Sequence, residues 1–426
     1  MSATAEPIGA MLRRRWHDPA AWMETADIVA MLLAASLPWS TSLVAIFAVA
    51  LVIVMLPTID VSALTTSLKR AVCVAPIALF ALALLGTLWS EARWGMRFYA
   101  VGPTVKLLLL PLLFYHFSRS QRGLWVCGAF LASCALMVVA SWIVFFIPEL
   151  TMKKGIGVTP GIFVKNYIDQ SQELTLCAVA LAFPIVTLLR EKKMVLALLL
   201  GALALAFLIN MIFVTVSRTA LVTIPIMIAV FAVVHLRWRT NLALLAAAVV
   251  LAGVAWSASP ALQQKINSIG QEYQRYEQQG AVTSVGERLE FWRKSLQFFA
   301  EAPIVGHGTG STEGLFVQAA VGQTGIAAEI IRNPHNQTLN VAVQWGTIGV
   351  IVLYAVWLSH LSMFSGEGIA NWIGLLVVVQ NIFTSLFNSH LFDFHEGWMY
   401  VLGVGVAGGM ALKQMGTDEA RVAGLS

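Results

Sequence analysis

Apolar residues along the chain gather into near-continuous segments, most of them roughly 16–25 residues long, divided by short polar stretches. They fall at 26–39, 41–57, 71–89, 97–117, 123–147, 171–189, 194–213, 219–236, 241–258, 337–360, 369–388 and 397–412. None shows the strict alternation that a membrane barrel strand requires. In lipid every backbone N–H and C=O must be bonded internally, so only helices and closed barrels can span. The pattern therefore predicts an all-α integral membrane protein with about twelve transmembrane helices. The first two segments are short and separated by Pro38-Trp39-Ser40-Thr41, which reads as a tight helical hairpin.

Between the ninth and tenth segments the pattern changes. Residues 261–279 are polar with helical periodicity, and Ser284-x-x-Glu287 reads as a capping box opening a second helix. Leu289, Trp292, Leu296 and Phe299 are spaced as the apolar face of that helix. Pro303 and the glycines at 306, 308 and 310 stop it, and a third short helix fits around 312–321. The expected organisation is thus residues 1–258 with helices one to nine, a mostly helical loop at 259–334, and residues 335–426 with the last three helices and a tail.

Composition strengthens the membrane reading. Hydrophobic residues make up 58% and charged residues 12%, against about 25% charged in a soluble domain. The net charge of +5 is not a nucleic-acid signal, because the basic residues sit mainly in short loops. If the N-terminus is cytoplasmic, Arg13, Arg14, Arg15, Lys69, Arg70, Arg119, Arg122, Arg190, Lys192, Lys193, Arg237, Arg239, Lys413 and Arg421 lie inside. Only Arg93, Arg97, Lys153, Lys154, Lys165 and Arg218 fall in short outer loops. That bias places both termini in the cytoplasm and loop 259–334 outside. Asp18, Glu24 and Asp27 interrupt what would be the apolar core of a signal peptide. The cysteines Cys73, Cys127, Cys134 and Cys177 lie in apolar segments and suggest no disulfide framework.

Polar chemistry concentrates on the outer side. His335, in Asn333-Pro334-His335-Asn336, heads an apolar span. Asn and Pro suit a helix start, so His335 is expected in the first turn, where the helix dipole disfavours imidazolium. A neutral histidine there suits a general base; an interfacial hydrogen-bonding histidine is the plainer alternative. Arg218 occupies a very short outer connection with no acid nearby in sequence. Its planar fork matches phosphate oxygens, although snorkelling is commoner. Arg288 stands beside Glu287 and Glu290, as a surface ion pair would. Asn388, His390, Asp393, His395 and Glu396 cluster in another outer loop, but their order matches no established metal motif. Lys106 lies within a span and must snorkel or face the interior, while Arg93 and Arg97 bracket the outer start of the same helix.

Three patterns together resemble a family. They are Arg288-x3-Trp292-x6-Phe299-x3-Pro303-Ile304-x-Gly306-x-Gly308, then His335-Asn336-x2-Leu339, and upstream Thr215-x-Ser217-Arg218-x-Ala220. Their order and sidedness are similar to the O-antigen ligase and polymerase superfamily of the bacterial inner membrane, whose fold is GT-C-like. The resemblance implies a glycosyltransferase that takes a glycan from undecaprenyl diphosphate and, in the ligases, passes it to a sugar of lipid A–core at the periplasmic face. It implies His335 as base, Arg218 and Arg288 as diphosphate clamps, and Asp393, Asn336, Arg93, Arg97 and Lys106 as possible supports. No metal, cofactor or nucleic acid is implied. One dominant loop between helices nine and ten looks most like a ligase. A polymerase or a protein O-oligosaccharyltransferase remains within the same pattern, and a twelve-span transporter or flippase is the alternative of another class.

Overall fold

The computed structural model describes residues 18–152 and 160–422, so Arg13, Arg14, Arg15, Lys153 and Lys154, used above for orientation, lie outside the described residues. Within them the chain is helical, with no strand. The first nine helices are α1 (Pro19–Ser36), α2 (Thr41–Met55), α3 (Val61–Leu68), α4 (Ala71–Leu85), α5 (Trp94–Val105), α6 (Leu109–Phe117), α7 (Gly123–Phe146), α8 (Tyr167–Ala180) and α9 (Ala182–Arg190). The rest are α10 (Met194–Phe213), α11 (Arg218–His235), α12 (Trp238–Ala258), α13 (Pro260–Gln279), α14 (Ser284–Glu301), α15 (Thr312–Ala320), α16 (Gln337–Met363), α17 (Ile369–Thr384) and α18 (Phe394–Val422).

Among the described residues, 8 helical stretches are long and apolar enough to cross a membrane, or 9 if the pair α3–α4, bent by 80°, counts as one. Several apolar crossings make this a multi-pass membrane protein. The expected twelve also include segments within α1, α17 and α18, which fall outside that set by length or composition. In α1 the reason is visible: Asp27 is buried, 2.8 Å from His116 Nε2 and accepting from Ser120 Oγ at 2.7 Å. An acid satisfied inside the bundle lowers hydropathy without exposing charge to lipid.

Two expected spans, 97–117 and 171–189, lie within single membrane-length stretches, Trp94–Phe117 and Tyr167–Arg190, each with a local departure from the expectation. Segment 97–117 divides into α5 and α6 at a 3₁₀ turn, Lys106–Leu108. Pro103 stands just before the break and removes a helical donor there. Segment 171–189 starts earlier than expected, at Tyr167, because Asn166 caps it by accepting from the Ile168 and Asp169 amides. α18 packs closely on α6 through small residues: Gly405 lies against Leu113, Gly408 against Phe114 and Gly409 against Phe117.

The long loop forms the helices expected of it, with two corrections. Thr283, not Ser284, caps α14, its Oγ1 accepting from the Gly286 amide at 3.1 Å. The buried face of α14 is Phe291, Lys294, Ser295 and Phe298, whereas Leu289 and Leu296 are exposed. Phe291 and Phe298 pack with Phe316 of α15 and Val343 of α16, so a tertiary partner selects a face that periodicity alone does not.

After α14 the chain stitches itself into α16. That helix is interrupted at Gly346, where φ is 60°. The amides of Thr347 and Ile348 donate instead to the Pro303 and Ile304 carbonyls, at 2.8 and 3.2 Å. The Val343 and Gln344 carbonyls, freed by the same break, accept from His307 and Gly308 at 2.9 and 2.8 Å. All four groups are thereby satisfied, as an apolar setting demands. Gly306 and Gly308, both at positive φ, permit this approach; a Cβ on Gly306 would stand 2.5 Å from the Gln344–Trp345 backbone.

Candidate functional site

α16 starts three residues later than the Asn-Pro pattern suggests. Asn336 is its N-cap, with Oδ1 accepting from the Leu339 amide at 3.0 Å, and Gln337 is the first helical residue. His335 therefore precedes the cap rather than occupying the first turn. Its backbone is left-handed, at φ +54°, a conformation that a non-glycine residue holds at a cost of about 1–3 kcal/mol. The His335 amide donates to Asn333 Oδ1 at 2.9 Å, closing a tight Asx turn.

The loop after α17 docks on this turn. The Gln337 amide donates to the Ser385 carbonyl at 2.9 Å, and the Leu391 amide to Gln337 Oε1 at 3.1 Å. Asn388 is thereby brought to His335, with 2.8 Å between His335 Nδ1 and Asn388 Oδ1. Asn388 Nδ2 donates to Asp393 Oδ2 at 2.7 Å. The imidazole lies near the ring of Phe291, 6.2 Å between centroids. Among the described residues nothing bonds Nε2. Burial holds the His335 pKa below its usual 6.5; the Asn388 bond opposes this and the Arg288 charge adds to it. His335 precedes the cap and so lies outside the first turn, where the helix dipole was expected to act.

The two arginines differ. Among the described residues Arg288 donates only to the Ser284 carbonyl and hydroxyl, at 3.2 and 2.8 Å, and its buried Nε has no partner there. Among the described residues Arg288 makes no ion-pair contact with either neighbouring glutamate: Glu290 is held by Arg293 at 2.6 Å, and the Glu287 charge acts on Arg288 without a direct contact. Arg218, expected to be free of acids, forks onto both carboxylate oxygens of Glu272 and bonds Ser268 Oγ at 2.7 Å. Glu272 lies on α13, so only the folded loop reveals the pairing. The Arg218 bonds hold its carboxyl below the usual range.

Lys106 does not snorkel. It is buried, and Nζ donates to the carbonyls of Phe392, at 3.1 Å, and Asp393. Arg97 spends its guanidinium on the Ala92 and Thr87 carbonyls, at 2.6 and 2.7 Å, and lies over Trp94. Arg93 is exposed at the start of α5.

His390, Asp393 and Glu396 bring one ligand atom each within 4.8 Å of one another, close enough to hold a cation. His390 Nε2 is 4.0 Å from Asp393 Oδ2 and 3.9 Å from Glu396 Oε1. A nitrogen and two carboxylate oxygens suit several divalent ions, but the Lys106 ammonium already brings a positive charge to the same turn. Burial, then Glu396, pushes the Asp393 carboxyl up to about 8; burial, then His335 and Arg288, pushes His390 down to about 3. Deeper, His395 lies 2.8 Å from Lys165 Nζ and 3.3 Å from Asp169, and Lys165 is 3.4 Å from Glu173. Asp169 was missed by beginning the span at 171, and Glu173, inside that span, was not singled out; two acids one turn apart beside an apolar run were the available signal.

A cavity of about 990 Å³ opens between α2, α5–α6 and α18. Ala48, Val52, Leu109 and Leu112 give it apolar walls; Lys106, Asn340, Gln344, Ser389 and Asp393 give it a polar end. His335, Arg218 and Arg288 do not line it. Residues 203–354, which contain all three, match the family model described as O-antigen ligase. No curated protein matches the chain.

Proposed function

We propose, from the match of residues 203–354 to the O-antigen ligase family model, that this chain acts as a member of the O-antigen ligase and polymerase superfamily and transfers a glycan from undecaprenyl diphosphate to a sugar of lipid A–core at the periplasmic face of the inner membrane. The observation that carries the reading is His335 itself: its Nε2 is unbonded among the described residues, and burial together with the Arg288 charge favours its neutral form, while Arg288 hydrogen-bonds only Ser284 among those residues. His335 takes the proton from the acceptor hydroxyl. The oxygen attacks the anomeric carbon from the face opposite the diphosphate, and configuration inverts. The carbon–oxygen bond to the diphosphate breaks, its electron pair leaving with the phosphate, and the arginine forks stabilise that charge. Arg218 takes part when the diphosphate displaces or shares Glu272. The imidazolium returns its proton to water. The donor bond supplies the free energy, so no nucleotide is required.

The cavity supports this reading by its form. Apolar walls with an amide- and hydroxyl-rich end suit a lipid-anchored saccharide entering sideways from the bilayer. The single large loop between α12 and α16 favours a ligase over a polymerase. The test is a lipopolysaccharide gel from a deletion strain, with and without the restored gene. Core-only lipopolysaccharide with polymerised glycan on the carrier means ligase, and core bearing one repeat unit means polymerase. An unchanged ladder removes both.

Two further outcomes are expected. Only neutral His335 can act as base, so the initial rate should fall on the acid side as pH drops through a pKa below 6.5. Arg288→Gln should move that limb to higher pH, because Arg288 is one cause of the lowering. In a chelator the purified protein should keep its activity. Loss that a divalent ion restores would assign the ion to His390, Asp393 and Glu396 and end the metal-free mechanism.

A further inference from the structure

A neutral imidazole has two tautomers, and only one leaves the lone pair on Nε2. Which one is present follows from bonds that begin at an unambiguous donor. The His335 main-chain N–H donates to Asn333 Oδ1 at 2.9 Å, and Ser389 Oγ donates to the same oxygen at 2.7 Å. Those contacts orient the Asn333 amide, so its Nδ2 is the end facing Asn388 Oδ1, at 3.1 Å. Asn388 must then present its oxygen, and its other end, Nδ2, meets the Asp393 carboxyl at 2.7 Å. Turning the Asn388 amide over would set two donors against each other at Asn333. The ring atom 2.8 Å from Asn388 Oδ1 is His335 Nδ1. An amide oxygen only accepts, so Nδ1 carries the hydrogen.

We infer that Asn388 is a positioning residue that holds His335 as the Nδ1–H tautomer and so makes Nε2 the atom that takes the acceptor's proton. The assignment rests on the reading of His335 as base. It holds whether or not Asp393 is ionised, because Asn333 alone suffices to orient the amide. Asp393 adds direction rather than charge, and the loop bearing both is fastened by Lys106 at the Phe392 and Asp393 carbonyls. A histidine two residues along, His390, lies near two carboxylates. Asn388, however, is the side chain hydrogen-bonded to the His335 ring.

The experiment uses the full-length protein in nanodiscs, with ring-¹⁵N histidine and a transfer assay on a lipid-diphosphate-linked glycan. The His335 resonances are identified by their loss in His335→Ala. In the wild type Nδ1 should be protonated and Nε2 bare. Asn388→Ala should mix the tautomers and lower kcat by roughly 10²-fold, the order that a misplaced general base costs, with KM little changed. Asn388→Asp keeps an acceptor on Nδ1; it should hold the tautomer, recover most of the rate and move the acid limb to higher pH. A merely structural Asn388 would lower the folded yield of both variants and move neither limb nor tautomer. Bare Nδ1 in the wild type, or Asn388→Ala at the wild-type rate while His335→Ala is inactive, overturns the inference alone. His335→Ala at the wild-type rate removes the base reading and the inference with it.

Discussion

His335→Ala is expected to abolish transfer while leaving the protein inserted and folded. The side chain makes one hydrogen bond, to Asn388, and one ring contact, with Phe291. Neither belongs to the main bundle core, which is built around residues such as Trp345, Trp372 and Tyr400. Alanine meets the same left-handed backbone that histidine already tolerates, and Asn336 still caps α16. The structural loss is therefore small, but the only proton acceptor next to Arg288 in the proposed mechanism is gone. General-base removal costs on the order of 10²–10⁴-fold. Initial rates with purified protein, beside a thermal unfolding curve, separate the two effects. A variant that transfers near the wild-type rate would show that the acceptor proton goes elsewhere.

What could be read from the sequence divides along physical lines. Long apolar runs with no competing polar partner were legible to within a residue or two: 123–147 against Gly123–Phe146, and 194–213 against Met194–Phe213. Runs whose polar residues are satisfied in the interior were not. Asp169 and Gln170 look like loop residues, yet they sit buried in the first turns of α8. Asp27 likewise makes α1 look too polar until His116 and Ser120 are seen beside it. Proline gave a warning at 103, but the break at Lys106 has meaning only because that lysine reaches the 392–393 carbonyls across the bundle. At the site, the residue types were legible and their partners were not. Arg218 and Glu272 are far apart in sequence, so no local pattern links them. Asn388 lay in a cluster read for metals, whereas its geometry concerns the two ends of an amide. His335 was singled out by its place at the head of a span and Arg288 chiefly through the family resemblance, and the docking of α14 on the start of α16 shows in the contact of Phe291 with the His335 ring.

Arg288→Lys should damage transfer more than its conserved charge suggests, and more than Arg218→Lys. The Arg288 fork rests on Ser284 alone, with Nε buried and unpartnered. In the proposed mechanism its parallel donors turn to two oxygens of the donor diphosphate. A lysine ammonium keeps the charge but offers no parallel pair of donors. Losing one donor aimed at developing charge costs on the order of 10²–10³-fold. The acid limb should stay in place, because the charge that lowers the His335 pKa remains. That separates this variant from Arg288→Gln, in which both rate and limb change. Arg218 begins with its fork already taken by Glu272, so part of its binding energy goes to displacing that carboxylate. Glu272→Gln should release the fork and tighten binding of the diphosphate donor, at some cost to the packing of α13 on α11. If Arg288→Lys transfers normally while Arg218→Lys does not, the diphosphate lies with Arg218, and Glu272 becomes the group that must open before the donor can bind.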